Sequence, residues 1–191
     1  MSIHDEHPFA DPASARDPAR RLRARLGGTV TLWTAGAGDG RAGLTVSSVL
    51  VAAGEPARLV GLLDPDSDLS DALLASGRGV VHLLGWRHRA LADAFAGAAP
   101  APGGPFRLGS FTAGSHGPVL ESADAWASVR VESSAPLGWA ALVTVAIEEV
   151  VVGVGPDDPL LHRRGRYVRL PSRDRPGPAA RVPRTTGEDG S

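Results

Sequence analysis

The sequence of 191 residues contains no cysteine and no lysine, and only 5% of its residues are aromatic. Without cysteine, the chain has no disulfide bond, no thiolate nucleophile and no cysteine-ligated zinc or iron–sulfur site. Without lysine, it has neither a Schiff-base nucleophile nor the lysine of a phosphate-binding P-loop. All 20 basic residues are arginine. These absences exclude several classes of catalytic site.

The remaining composition is that of an ordinary globular protein of one domain, with 42% hydrophobic residues and a net charge of −1. A net charge near zero gives no reason to expect binding to nucleic acid or to a membrane. No apolar run approaches the roughly 20 residues that a membrane-spanning helix needs. The acidic residues Asp5, Glu6 and Asp11 near the N-terminus fit no signal peptide. We therefore expect a cytoplasmic protein.

Composition predicts a flexible N-terminal arm at 1–15, a folded domain at 16–170 and a disordered tail at 171–191. Within the domain, β-branched runs bounded by glycine and proline predict strands, and capping residues with closing glycines predict helices. The long Gly- and Pro-rich stretch 97–117 is predicted to be a loop that covers a site. The expected fold is mainly β, an antiparallel barrel with two or three peripheral helices. The predicted strands are 29–34, 42–51, 58–63, 79–84, 125–131, 140–152 and 167–170, and the predicted helices are 18–26, 68–75 and 87–96.

The most informative segment lies within the second predicted strand and is rich in hydroxyl groups. Side chains alternate faces on a strand, so Thr45 and Ser47 are expected on the face opposite the core, and Ser48 can turn toward the same rim. Small hydroxyl side chains and glycine let a large flat ligand that carries a phosphate approach the backbone. An ordinary half-exposed strand also has this pattern. The segment reads Gly43-Leu44-Thr45-Val46-Ser47-Ser48.

A second candidate is the turn at 64–67, which precedes the predicted helix 68–75. Backbone N–H groups at a helix N-terminus can hold a phosphate, and Ser67 stands at that position. The alternative is that Ser67 or Asp66 only caps the helix. The aspartates of this segment would oppose a phosphate unless an arginine offsets them.

Other motifs predict less. Gly36, Gly38 and Gly40 precede a strand rather than a helix, so they favour a hairpin turn over a dinucleotide-binding loop. Ser115-His116 has no Gly-x-Ser-x-Gly elbow around it and does not by itself predict a hydrolase. No pair of histidines has the spacing of a zinc site, so we expect no metal.

Taken in order, these segments resemble the flavin reductase-like family of FMN-binding split barrels, over roughly residues 26–170. The hydroxyl segment and the closing run from Pro159 to Tyr167 are the most specific parts of the resemblance. It implies that the hydroxyl strand and the serine-containing turn bind the FMN phosphate and ribityl chain, in a homodimer with sites at the interface. The implied cofactor-binding residues are Gly43, Leu44, Thr45, Val46, Ser47, Ser48, Asp64, Ser67, Asp68, His82, His88 and Arg166. The arginine that neutralises the phosphate is expected to be Arg87, Arg89 or Arg166.

The implied activity is that of an NAD(P)H:flavin oxidoreductase that uses FMN or FAD, and the implied candidate partner is a flavin-dependent monooxygenase. The cofactors carry out hydride transfer themselves, so no catalytic side chain is predicted. The chain departs from the family pattern at five positions, and Ala94 and Trp139 open the alternative of a flavin-binding module without NAD(P)H turnover. A barrel that binds no flavin is a third alternative, favoured if the strand hydroxyls bond internally. The departures are Leu69, His82, His88, Ala94 and Trp139.

Overall fold

The computed structural model describes residues 18–153 and 158–170, without the side chain of Arg20. The predicted arm at 1–15 and tail at 171–191 lie outside the described residues. The helices are α1 (Pro18–Leu26), α2 (Asp68–Ser76) and α3 (Arg89–Phe95), and short 3-10 turns lie at Gly38–Gly40, Trp86–His88 and Pro105–Leu108. The strands are β1 (Gly28–Thr29), β2 (Thr31–Ala35), β3 (Ala42–Val46), β4 (Val49–Ala52), β5 (Arg58–Leu63), β6 (Arg78–Leu83), β7 (Phe111–Gly114), β8 (Gly117–Leu120), β9 (Ala125–Leu137), β10 (Ala140–Val152), β11 (Leu161–Arg163) and β12 (Arg166–Val168).

A seven-stranded antiparallel sheet in the order β3-β2-β6-β9-β10-β5-β4 forms the body of the protein. The sheet curls until β3 contacts β5 across the interior. Strands β1, β11 and β12 form a second small sheet, and β7 pairs with β8. The mainly β, antiparallel split-barrel prediction is therefore confirmed, with three α-helices outside the sheet.

Two apolar clusters lie on opposite faces of the curled sheet. The inner cluster surrounds Trp33, and Leu69 and Leu73 of α2 close one end of it. The outer cluster joins Leu32 of β2 to α3 and Leu160. Each side chain of β2 is buried because the strand is covered on both faces.

Helix α2 begins and ends with the residues that its sequence predicts. Ser67 is extended, with φ −82° and ψ 145°, and its hydroxyl oxygen accepts from the N–H of Ser70. Gly77 ends the helix in the left-handed conformation, at φ 66°, which glycine adopts without strain. Among the described residues, no helix is long and apolar enough to cross a membrane.

The prediction of a single strand at 42–51 is wrong, because the structure divides this segment into two strands at Ser47 and Ser48. Strand β3 pairs with β2, whereas β4 pairs with β5 on the far edge of the same sheet. The change of partner is set by contacts distant in sequence, which a continuous apolar run does not reveal. The loop predicted at 97–117 also needs correction, since it contains β7 and one 3-10 turn.

Candidate functional site

Ser47 and Ser48 stand at the break between β3 and β4, where neither belongs to a strand. Both side chains are half-buried. Neither hydroxyl has a hydrogen-bond partner within the described part of the chain. The backbone carbonyl of Ser48 accepts from the N–H of Leu62 at 3.0 Å, which fixes the break against β5. Two adjacent hydroxyl groups are therefore held in place and available to a ligand.

The small β1-β11-β12 sheet lies beside these serines. A Cβ atom on Gly28 would stand 2.5 Å from the carbonyl oxygen of Ser47, so only glycine permits this approach. Gly28 pairs with His162, whose ring packs edge-on against Tyr167 with 5.8 Å between centroids. We call Gly28, Ser47, Ser48 and His162 the hydroxyl rim. The sequence analysis did not predict a role for Gly28. One glycine is enough to end α1, so the second glycine of the Gly27-Gly28 pair was the signal that could have indicated it.

The rest of the hydroxyl segment has other partners. The Thr45 hydroxyl donates to the carbonyl of Ala92 in α3 at 2.8 Å. A Cβ atom on Gly43 would stand 2.6 Å from the ring of Phe95, so this position also lies under α3. Leu44 and Val46 pack in the inner core. Of the three predicted hydroxyls, one is bonded internally and two are not.

The turn before α2 satisfies most of its own polar groups. The hydroxyls of Ser67 and Ser70 both donate to the carbonyl of Asp64, at 2.8 and 2.6 Å. A carboxylate oxygen of Asp64 accepts from the N–H of Asp66 at 3.0 Å, and Asp68 is exposed in the first turn. This geometry supports the capping alternative for Ser67.

His82 lies in the core rather than at a surface. Its Nδ1 is 2.9 Å from the carbonyl of Leu32, and its Nε2 accepts from the N–H of Leu120 at 3.0 Å. Burial lowers its pKa to about 4, so the ring is neutral at pH 7. Because both nitrogens are occupied and the side chain is fully buried, we leave His82 out of the site proposed below.

His88 is also buried, and its Nδ1 accepts from the N–H of Gly85 at 3.0 Å while its Nε2 lies 3.1 Å from the Ser122 hydroxyl. Burial, and next the charge of Arg87, lower the pKa of His88. The structure thus gives both predicted histidines structural partners.

The three arginines that were expected near a phosphate differ in their partners. Arg87 donates to the carbonyl of Ser122 and to Asp124. Arg89 lies 4.2 Å above the ring of Trp86 and donates to its carbonyl. Arg166 is exposed at the start of β12 and forms no ion pair among the described residues.

A cleft of about 470 Å³ lies between the turn before α2 and the tip of the β9–β10 hairpin. Trp139 stands at that tip, is fully exposed and lines the cleft beside Pro65 and Asp66. None of the twelve predicted cofactor-binding residues lines it. No group of three or more metal-ligating side chains is gathered in the part of the chain that the structure describes.

The fold and the site place this protein in the class of antiparallel split barrels, with an accessible pair of hydroxyl groups at the break between β3 and β4. The model of the flavin reductase like domain matches residues 23–171, and the chain therefore belongs to the flavin reductase-like family. The chain is 33% identical over 128 residues to the FMN reductase (NADH) RutF of Ancylobacter novellus. The aligned segment covers 66% of this chain and 70% of that protein.

Solved structures show the same fold. The flavin reductase domain protein from Arthrobacter sp. FB24 has a TM-score of 0.73 at 23% identity and covers 83% of this chain and 98% of its own. The styrene monooxygenase flavin reductase from Pseudomonas putida S12 has a TM-score of 0.70 at 25% identity and covers 80% of this chain and 97% of its own.

Proposed function

We propose that this protein is an NAD(P)H:flavin oxidoreductase that binds FMN at the hydroxyl rim. The observation that carries the proposal is the pair of hydroxyls of Ser47 and Ser48, which have no hydrogen-bond partner among the described residues and are held at the strand break of a family barrel. Side chains that can both donate and accept fit the many hydroxyl and phosphate oxygens of a flavin tail. Gly28 permits the close contact with the Ser47 carbonyl that holds the rim in place.

The bound flavin would supply the hydride-accepting ring, and the protein binds, orients and excludes water. Ser47 and Ser48 would hold the ribityl chain or the phosphate, with His162 of the same rim beside them. No proton-transferring side chain is required for this role, in keeping with the structural engagement of His82 and His88.

Steady-state oxidation of NADH and of NADPH, followed at 340 nm with and without added FMN, tests the activity. We expect oxidation only when flavin is present, since the flavin is the hydride acceptor in the proposed reaction. Riboflavin and FAD as alternative acceptors define the flavin preference. Absence of FMN-dependent oxidation with either nucleotide would contradict the reductase proposal.

Arg166 is the arginine best placed to neutralise the FMN phosphate, because Arg87 and Arg89 are engaged elsewhere. Changing Arg166 to Gln should weaken FMN binding about fivefold. The affinity for riboflavin, which has no phosphate, should stay unchanged. Added salt should narrow the gap between the two flavins. Fluorescence titration of both flavins measures this.

The matched control for this prediction is Arg164→Gln, since Arg164 is exposed in the turn just before β12. An equal loss of FMN affinity in both variants would indicate a general charge effect. An equal affinity of the unmodified protein for FMN and riboflavin would show that the phosphate is not recognised.

A homodimer with flavin sites at its interface is the second part of the proposal. Leu50 and Val51 on the edge strand β4 are 74% and 68% exposed, and Leu62 of the neighbouring strand is 37% exposed. Apolar side chains on one sheet edge are typical of an interface between chains. Ser48, bonded through its backbone to Leu62, adjoins this edge, so dimerisation would border the rim.

Leu50→Glu is expected to weaken the dimer by roughly tenfold or more, because a carboxylate would be buried without a partner. Sedimentation velocity over a concentration series measures the change. Leu108→Glu is the control, since Leu108 is 51% exposed in a 3-10 turn that packs against α3. A wild-type protein that sediments as a monomer at all concentrations would exclude the dimer.

The alternative function, a flavin-binding module without NAD(P)H turnover, is favoured by Trp139. Its fully exposed ring lines the apolar cleft and could cover a flat ligand in place of nicotinamide. Tight FMN binding without turnover would select this alternative. FAD use, a preference between NADH and NADPH, a monooxygenase partner and a cytoplasmic location stay predictions.

A further inference from the structure

The tight turn between β7 and β8 holds Ser115 and His116 on a rigid platform. The Thr34 hydroxyl donates to the carbonyl of Pro118 at 2.6 Å, which fastens β8 to the end of β2. Gly117, at φ 135°, packs so closely that an added Cβ would stand 3.1 Å from the Cα atom of Ala35. The two side chains therefore project from an anchored turn. This turn lies at the Ala35 end of β2. Ser47 lies at the opposite end of β2, because it follows Val46, which pairs with Thr31.

The side chains of the turn join a chain of hydrogen bonds. The Ser115 hydroxyl oxygen lies 2.9 Å from Nδ1 of His116, and Nε2 of His116 lies 2.6 Å from a carboxylate oxygen of Glu148. Arg130 donates to the other oxygen of Glu148 at 3.0 Å. Glu148 reaches His116 from a register irregularity in the β9–β10 pairing, and such bulges re-aim side chains.

These contacts fix which nitrogen of His116 carries the proton. The hydrogen bonds from His116 and Arg130 lower the pKa of the Glu148 carboxyl, so it is ionised at neutral pH. An ionised carboxylate only accepts hydrogen bonds, and Nε2 must therefore be the protonated nitrogen of the neutral ring. The Nδ1 lone pair then faces the Ser115 hydroxyl. A nucleophile beside a base that a third group orients is the arrangement of an activated serine.

A second serine–histidine pair, Ser122 and His88, lacks a carboxylate hydrogen-bonded to the histidine ring within the described residues. Nδ1 of His88 accepts from the N–H of Gly85 at 3.0 Å, and its Nε2 accepts from Nε of Arg87 at 3.3 Å. The Ser122 hydroxyl lies 3.1 Å from that Nε2. Because both ring nitrogens already face other N–H donors, His88 is not arranged to take the proton of Ser122, which makes Ser122 a control within the same molecule.

A cleft of about 530 Å³ opens beside the turn, lined in part by Ser115, His116 and Arg78. The exposed Arg78 guanidinium forms no ion pair within residues 18–153 and 158–170. Its charge fits a carboxylate on a ligand. We propose that this cleft is a second site, independent of the flavin site, in which Ser115 is a nucleophile toward small carboxylic esters whose acyl group carries a carboxylate.

The reaction needs no co-reactant other than water. The Ser115 oxygen forms a bond to the acyl carbon as its proton passes to Nδ1 of His116. The bond to the alcohol breaks, and the leaving oxygen takes that proton. Water then adds to the acyl-serine with the same transfer, which releases the acid and restores the serine. Glu148 stays ionised throughout and positions His116.

Labelling of the full-length protein with a fluorophosphonate probe, followed by peptide mass spectrometry, tests the nucleophile. We expect modification of Ser115 and none of Ser122. Ser115→Ala should abolish labelling, and His116→Asn should slow it roughly 100-fold, the range of general-base assistance. Ser122→Ala should label as the unmodified protein does. A protein whose Ser115 is no more reactive than Ser122 would overturn the proposal.

Hydrolysis of p-nitrophenyl acetate and mono-p-nitrophenyl succinate tests the substrate class. The succinate ester should react about fivefold faster, and Arg78→Gln should remove that advantage. Ser115→Ala should lose both activities and keep its circular dichroism spectrum. Equal hydrolysis by Ser115→Ala and the unmodified protein would contradict the second site.

Discussion

Replacing Ser47 with Ala is expected to weaken FMN binding by about 1–3 kcal/mol, or roughly 5- to 150-fold, because one hydrogen bond to a polar or charged ligand is lost. The hydroxyl has no internal partner among the described residues, so its removal leaves no protein group unsatisfied. The thermal stability of the free protein should therefore stay unchanged. Equilibrium titration of FMN by flavin fluorescence measures the loss.

Two control variants separate this effect from a general one. Ser110→Ala removes an exposed hydroxyl from the loop before β7 and should leave FMN affinity unchanged. Thr45→Ser keeps a hydroxyl that can bond the carbonyl of Ala92. An unchanged FMN affinity in a correctly folded Ser47→Ala protein would place the flavin elsewhere.

Acidification from pH 7 to pH 4 is expected to remove up to ~3 kcal/mol of stability through His82 alone. Its pKa falls from 6.5 to about 4 on folding, chiefly through burial. The unfolded chain therefore binds the proton first, and the stabilisation is complete above pH 6.5 and is lost as the pH falls toward 4. Protonation would also set an N–H against the N–H of Leu120.

Other groups titrate in the same range, so the measurement compares the protein with His82→Gln. Urea unfolding of both at pH 7, 6, 5 and 4 gives the difference in unfolding free energy. At pH 7 the variant should be less stable, since the carbonyl of Leu32 and the N–H of Leu120 lose a matched partner. The difference should shrink as the pH falls. A difference independent of pH would contradict a neutral, buried His82.

Local signals in the sequence predict much of the fold. The strand at 58–63, the helix that Ser67 caps and Gly77 closes, and the long strand at 140–152 all follow from turn residues and β-branched runs. The division at Ser47 and Ser48 does not, because β3 and β4 share one apolar pattern and differ only in their partner strands. Strand β11, which pairs across 134 residues with β1 (Gly28↔His162), was likewise missed.

The site was predicted only in part for the same reason. The hydroxyl segment indicates a ligand, yet nothing local shows that the Thr45 hydroxyl bonds to α3 while the Ser47 hydroxyl has no partner within residues 18–153 and 158–170. A lone histidine in a strand does not reveal that both nitrogens of His82 find backbone partners, one of them 38 residues away. The Ser115–His116–Glu148 chain depends on a strand irregularity that brings Glu148 to the turn.

The most direct test of the central claim is an anaerobic titration of the purified protein with FMN, followed by NADH. We expect FMN binding in the micromolar range, weakened in Ser47→Ala, and loss of the flavin absorbance near 450 nm when NADH is added. Free FMN mixed with NADH in the absence of the protein should keep its absorbance. A protein that fails to bind FMN at tens of micromolar, or binds it without any reduction by NADH or NADPH, would contradict the assignment as a flavin reductase.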